Sequence, residues 1–113
     1  MIKPTDDEGV VKKEVKKVLN QFEPHCWYFM VVPGGFGIGG LPDFIGLYHG
    51  KFFAIETKRP GRRGEANGGM SGLQVRAMKL ILMAGGVFFK VDDDDTVQGV
   101  LEWLNGNGTA STT

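Results

Sequence analysis

The sequence has few of the residues that build disulfide bonds, zinc sites or membrane spans. It contains one cysteine, Cys26, and two histidines among 113 residues. An internal disulfide is therefore excluded, and a zinc site built from Cys and His is not expected. No apolar run approaches the ~20 residues that a membrane-spanning helix needs, and the N-terminus lacks the charged-then-apolar pattern of a signal peptide. These absences predict a protein of the reducing cytoplasm.

The chain also lacks net charge, since thirteen basic residues balance thirteen acidic ones. Net charge alone therefore does not predict a partner, but the distribution of charge is informative. Basic residues concentrate between residues 51 and 79 and again between 12 and 17, whereas acids concentrate at 6–8 and 92–95. Local positive fields of this kind are what contacts with phosphate groups require.

The length and the apolar spacing predict one domain over residues 1–104 and a disordered polar tail over 105–113. The predicted elements follow the order αβββαβα. They are a helix at 6–21, strands at 26–32, 43–48 and 51–58, a helix from Ser71 to Ala84, a strand at 87–91 and a helix at 95–104. The glycine-rich polar segment 60–72 is expected to be a mobile loop.

The hairpin formed by the second and third strands predicts the chemistry. If His49 and Gly50 form its two-residue turn, counting outward places Asp43 opposite Glu56, with their Cβ atoms roughly 5 Å apart. Alternation along the strand puts Lys58 on the face of Glu56. Two carboxylates with a lysine beside them suit a hard divalent cation such as Mg²⁺ or Mn²⁺, with the backbone carbonyl of Thr57 as a further ligand.

Several short motifs occur in a family-like order: Pro42-Asp43, Glu56-Thr57-Lys58, Ser71-x-x-Gln74 and Ala84-Gly85-Gly86. Together they resemble the virus-type replication-repair nuclease (VRR-NUC) family of the PD-(D/E)xK superfamily, in its stand-alone, phage-like form, over roughly residues 8 to 104. The resemblance implies an α/β fold, in which helices flank a central mixed four-stranded sheet. It further implies an Mg²⁺- or Mn²⁺-dependent endonuclease of a bacterial or phage-infected cell, acting as a homodimer on branched DNA in the manner of a Holliday-junction resolvase. Alternatives are a nicking or flap endonuclease and a non-catalytic DNA-binding module with the same fold.

The resemblance also suggests roles for further residues. Lys58 would orient or deprotonate the attacking water, or neutralise the phosphorane, and Gln74 would hold the metal-bound water or Lys58. A glutamate near the start of the first helix is expected at the site; Glu8 is preferred, with Glu14 as the rival. The predicted DNA contacts are the basic residues Arg59, Arg62, Arg63, Arg76 and Lys12.

Overall fold

The computed structural model describes residues 1–32 and 38–108. The elements are α1 (Glu8–Asn20), β1 (Cys26–Met30), β2 (Phe44–Tyr48), β3 (Lys51–Thr57), α2 (Gly72–Met83), β4 (Val87–Val91) and α3 (Asp94–Asn105). The strands form one sheet in the order β1-β2-β3-β4, with the first three antiparallel and β4 parallel to β3. The predicted α/β fold with a mixed four-stranded sheet is therefore confirmed. No helix within the described ranges is long and apolar enough to cross a membrane.

The β2–β3 hairpin has the predicted register. Tyr48 pairs with Lys51, and the two turn residues have positive φ angles of 48° at His49 and 78° at Gly50. Two-residue turns of this kind match the right-handed twist of the flanking strands. Phe44 at the start of β2 pairs with Ile55, so the same register carried one residue further sets Asp43 opposite Glu56.

The core lies on one face of the sheet, beneath α1 and α3. From α1, Val11, Val15 and Leu19 are buried at helical spacing, and Trp103 of α3 packs edge-on against Phe53 of β3. The helix α3 continues to Asn105, and a hydrogen-bonded turn carries the chain to a buried Gly108. The described structure thus includes residues 105–108 of the segment that was predicted to be a tail, and residues 109–113 lie outside the described ranges.

The opposite face of the sheet is only partly covered. Ser71 caps α2 as predicted, in a reciprocal pair of hydrogen bonds with Gln74. No residue of α2 is fully buried, and both Leu73 and Leu80 of this helix are more than half exposed. This face therefore retains apolar surface in the single chain.

The segment that was expected to be a mobile loop is ordered instead. It contains a 3₁₀ turn at Pro60–Arg62 and a second turn at Ala66–Gly69, in which Asn67 and Gly68 have left-handed backbone conformations, and it ends at a buried Met70. Arg63 forms ion pairs with Asp92 and Asp93 across the sheet edge. The expectation was wrong because glycine content reports local freedom, whereas these distant charged partners hold the segment in place.

Candidate active site

The loop that leads into β2 passes close to the start of α2. Gly40 has a φ of 78°, and a Cβ at this position would collide with the backbone of Leu73 and Gln74. Only glycine allows this close approach at an unstrained positive φ. Gly40 is thereby brought against the helical turn that carries Gln74.

Two donors from Thr57 hold one oxygen of Asp43. The Thr57 amide nitrogen lies 2.8 Å and its hydroxyl oxygen 2.7 Å from Asp43 Oδ2, and both groups donate. The second oxygen, Oδ1, accepts no hydrogen bond from the described residues and faces the ammonium of Lys12 at 3.9 Å. Thr57 was predicted as a metal ligand through its carbonyl, so its positioning of Asp43 is an additional role that the sequence did not reveal.

The two carboxylate oxygens of Glu56 differ in their partners among the described residues. The residue is only 2% exposed. Its Oε2 accepts a hydrogen bond from Gln74 Nε2 at 3.0 Å and forms an ion pair with Lys58 Nζ at 3.3 Å. Its buried Oε1 has no hydrogen-bond partner among the described residues. Burial and the charge of Asp43 raise the pKa of Glu56 to about 7, despite the opposing effect of Lys58.

The predicted neighbours Lys58 and Gln74 thus both converge on Glu56. Lys58 is buried just beyond β3, and its amide donates to Val91, which continues the pairing with β4. The amide group of Gln74 accepts a hydrogen bond from the Ser71 backbone and donates to Glu56. The hydrogen bond that caps α2 therefore also fixes the side chain of Gln74, which in turn orients the carboxylate of Glu56.

The helix α1 brings an acid, Glu8, and a lysine, Lys12, to the side of the site that carries Asp43. Glu8 Oε2 lies 3.2 Å from Lys12 Nζ, one helical turn away, and the same ammonium faces Asp43. Glu14 instead pairs with Lys17 at 3.8 Å. Of the two candidate glutamates, Glu8 is the one linked to Asp43. Lys12 was predicted only as a DNA contact, although its spacing from Glu8 was the signal that could have placed it here.

The donor set fits a hard divalent cation. Asp43 Oδ1 and Glu56 Oε1 are carboxylate oxygens that accept no hydrogen bond from the described residues, and such oxygens are the ligands that Mg²⁺ and Mn²⁺ prefer. Within the described ranges, no three acidic, histidine or cysteine side chains converge as a metal-binding group. Mg²⁺ commonly keeps several water ligands beside one or two carboxylates, so a pair of carboxylates is compatible with such an ion.

A comparison with solved structures identifies the fold. A structure titled "VRR_NUC domain" matches with a TM-score of 0.65 and 20% sequence identity, over 84% of this chain and 94% of that one. The chain has the VRR_NUC fold. No family model matches the sequence, and no curated protein is significantly similar to it. The resemblance carried by the Pro-Asp and Glu-x-Lys motifs is therefore confirmed at the level of the fold.

On this VRR_NUC fold, the arginines predicted to contact DNA differ in whether they form ion pairs within the chain. Arg62 pairs with Glu65 at 3.0 Å, and Arg63 is engaged by Asp92 and Asp93. Arg59 and Arg76 are exposed and form no ion pair within the part of the chain that the structure describes. A phosphate would meet less internal competition at these two arginines than at the other two.

Proposed function

We propose that this protein is an endonuclease that hydrolyses phosphodiester bonds in DNA with Mg²⁺ or Mn²⁺. The observation that carries the proposal is the buried Glu56 Oε1 beside Asp43, which has no hydrogen-bond partner among the residues that the structure describes. A buried carboxylate oxygen without a partner costs free energy. A divalent cation bound by both carboxylates would offset that cost.

The roles of the surrounding residues follow from their contacts. Asp43 Oδ1 and Glu56 Oε1 would hold the cation, while Thr57, Gln74 and Lys58 fix the two other carboxylate oxygens. When bound, the metal would supply Lewis acidity and lower the pKa of a bound water. The Lys58 ammonium contributes fixed positive charge in a buried setting, suited to stabilising negative charge on the phosphoryl oxygens.

We further propose a homodimer that cuts branched DNA. The support is the apolar surface of the sheet opposite the core, where Trp27 is 62% and its strand partner Leu47 is 48% exposed. Contiguous apolar surface of this kind marks interaction sites, and a second copy is the occupant that the proposed activity needs. A two-fold dimer carries two active sites and so permits paired cuts in a symmetric four-way junction.

Cleavage assays test the activity and its substrate together. Purified protein is incubated with linear, flap and four-way DNA in Mg²⁺, in Mn²⁺ or in EDTA. We expect metal-dependent cleavage with four-way DNA preferred, whereas equal cutting of flaps and junctions would favour the nicking or flap endonuclease. DNA binding without cleavage of any substrate would favour the non-catalytic module.

Light scattering tests the dimer separately. We expect the wild-type mass to correspond to two chains and Trp27→Glu to give one chain, because a charge would be buried in the interface. A wild-type monomer, with and without junction DNA, would remove the dimer while leaving the metal-dependent chemistry in place.

A further inference from the structure

The Lys12 ammonium lies among the acids of the site rather than in solvent. Its Nζ is 3.2 Å from Glu8 Oε2 and 3.9 Å from Asp43 Oδ1. The side chain is about one-third exposed, and it spans from the first helix to the loop before β2. Since the two residues are 31 positions apart in sequence, this contact depends on the packing of α1 against the sheet.

The oxygen that faces Lys12 is the same one that the metal would use. Thr57 occupies Asp43 Oδ2 with two hydrogen bonds, so Oδ1 is the remaining acceptor. A divalent cation bound there would repel the ammonium or displace it from Asp43. Either event costs electrostatic free energy, because the lysine is partly shielded from water and its charge is therefore incompletely screened.

We propose that Lys12 is an internal counter-cation that competes with the divalent metal for Asp43 and so limits the affinity of the site for metal. The inference rests on the proposed metal centre. It differs from an ordinary surface ion pair, which would affect metal binding little. It also gives the lysine a second use, because a displaced ammonium remains attached to α1 beside the bound cation, where a phosphate would approach.

The chain offers a matched control one residue away. Lys13 lies on the same helix with the same charge, but it is exposed and forms no ion pair within the described residues. The variants are therefore Lys12→Gln, Lys12→Arg and Lys13→Gln, each checked for folding by circular dichroism and thermal melting. Because Lys12 is not part of the core, we expect all three to fold.

Calorimetric titration with Mn²⁺ alone, without DNA, is the measurement. We expect Lys12→Gln to bind Mn²⁺ about tenfold more tightly than wild type, because it removes an incompletely screened charge that lies 3.9 Å from the proposed ligand oxygen Asp43 Oδ1. Lys12→Arg and Lys13→Gln should each stay within about twofold of wild type, since the first keeps the charge and the second removes a screened one. If Lys12→Gln equals Lys13→Gln, or binds Mn²⁺ more weakly than wild type, the inference is overturned.

Asp43→Asn separates this inference from the proposal on which it depends. If Asp43→Asn loses Mn²⁺ binding while Lys12→Gln leaves it unchanged, the metal centre stands and the competition by Lys12 is refuted. If Asp43→Asn binds Mn²⁺ as wild type does, the metal centre itself is refuted, and the role of Lys12 with it. Tighter binding in Lys12→Gln together with loss in Asp43→Asn supports both.

Discussion

Two buried carboxylates, one on β3 and one directly after the parallel strand β4, differ in the groups that surround them. Glu56 on β3 is 2% exposed, and Asp92, which directly follows β4, is 1% exposed. Each has a lysine two residues away, Lys58 after Glu56 and Lys90 before Asp92, and Lys90 is the register partner of Glu56. The local sequences are thus almost mirror images.

The difference lies in how completely each carboxylate is paired. Asp92 Oδ2 accepts hydrogen bonds from Lys90 at 2.9 Å and Arg63 Nε at 3.3 Å, and Oδ1 pairs with the other end of the same guanidinium. Burial alone would raise the pKa of Asp92, but these donors outweigh it and lower the pKa below its usual value. The pKa of Glu56 is raised, and its Oε1 accepts from no donor in the described part of the chain. A completed pair holds two segments together, whereas an incomplete one leaves an acceptor oxygen for a ligand.

The largest expected effect is the loss of catalysis when Glu56, the incompletely paired carboxylate, is neutralised. Glu56→Gln should lower the cleavage rate about 1,000-fold, since the Lewis acidity of the proposed metal would be worth several kcal/mol. The fold should persist, because the charged form of Glu56 is the one that burial disfavours. Single-turnover cleavage and urea unfolding of the same preparation measure both. A rate within tenfold of wild type would contradict the assignment of Glu56 as a metal ligand.

Neutralising Asp92, the fully paired carboxylate, should lower stability and leave cleavage nearly unchanged. Asp92→Asn leaves Arg63 and Lys90 without their anion, and breaking a buried pair is destabilising. Because Arg63 is itself largely exposed, we expect a loss of about 2 kcal/mol in the free energy of unfolding rather than the ~3–5 kcal/mol of a fully buried pair. Urea denaturation measures it, with the exposed Asp95→Asn as the control. Cleavage per folded molecule should stay near wild type.

The comparison also shows how far the sequence predicts the structure. The hairpin register, and with it the nearness of Asp43, Glu56 and Lys58, follows from a two-residue turn and alternation, which are local rules. The cap of α2 at Ser71 is local as well. The pairing of Arg63 with Asp92 is not, because it joins residues 29 positions apart whose local sequences give no indication of each other.

The same limit applies at the candidate site. The spacing of Lys12 from Glu8 predicts that these two side chains pair, but the contact of Lys12 with Asp43 needs the final packing of α1. The incomplete burial of α2 is likewise a tertiary property, since its apolar spacing alone predicts a helix with a buried face. Local order was therefore predictable, whereas the long-range partners of Arg63 and Lys12 were not.

The opposite pKa shifts predict opposite dependences of stability on pH, measured in EDTA. The pKa of Asp92 is lower in the folded chain than its ordinary 3.8, so its contribution is present above that value and is lost as pH falls through the folded pKa. The pKa of Glu56 rises from 4.5 to about 7. Its contribution is therefore present below 4.5 and is lost as pH rises through about 7.

Urea unfolding between pH 3 and 8 would resolve these two contributions as differences from wild type, at roughly 1.4 kcal/mol per unit of pKa shift. Asp92→Asn should flatten the loss of stability towards acid, and Glu56→Gln should flatten the decline between pH 4.5 and 7. Parallel curves for wild type and both variants would mean that neither carboxylate changes its pKa on folding.

The smallest expected effect concerns the residues between the charged ones. Thr57 of β3 and Val91 of β4 are register partners of similar shape, and both are buried. Only Thr57 has a hydroxyl, which donates to Asp43 Oδ2 at 2.7 Å.

Thr57→Val makes the two positions alike and removes this hydrogen bond, while the Thr57 amide still donates to the same oxygen. We expect cleavage to fall about tenfold, the value of one hydrogen bond to a charged group, and Mn²⁺ affinity to fall by a similar factor because Asp43 is less firmly oriented. Thr57→Ser, which keeps the hydroxyl, should restore both. If the serine variant is as impaired as the valine variant, the effect arises from packing at this position, and the hydroxyl does not position Asp43.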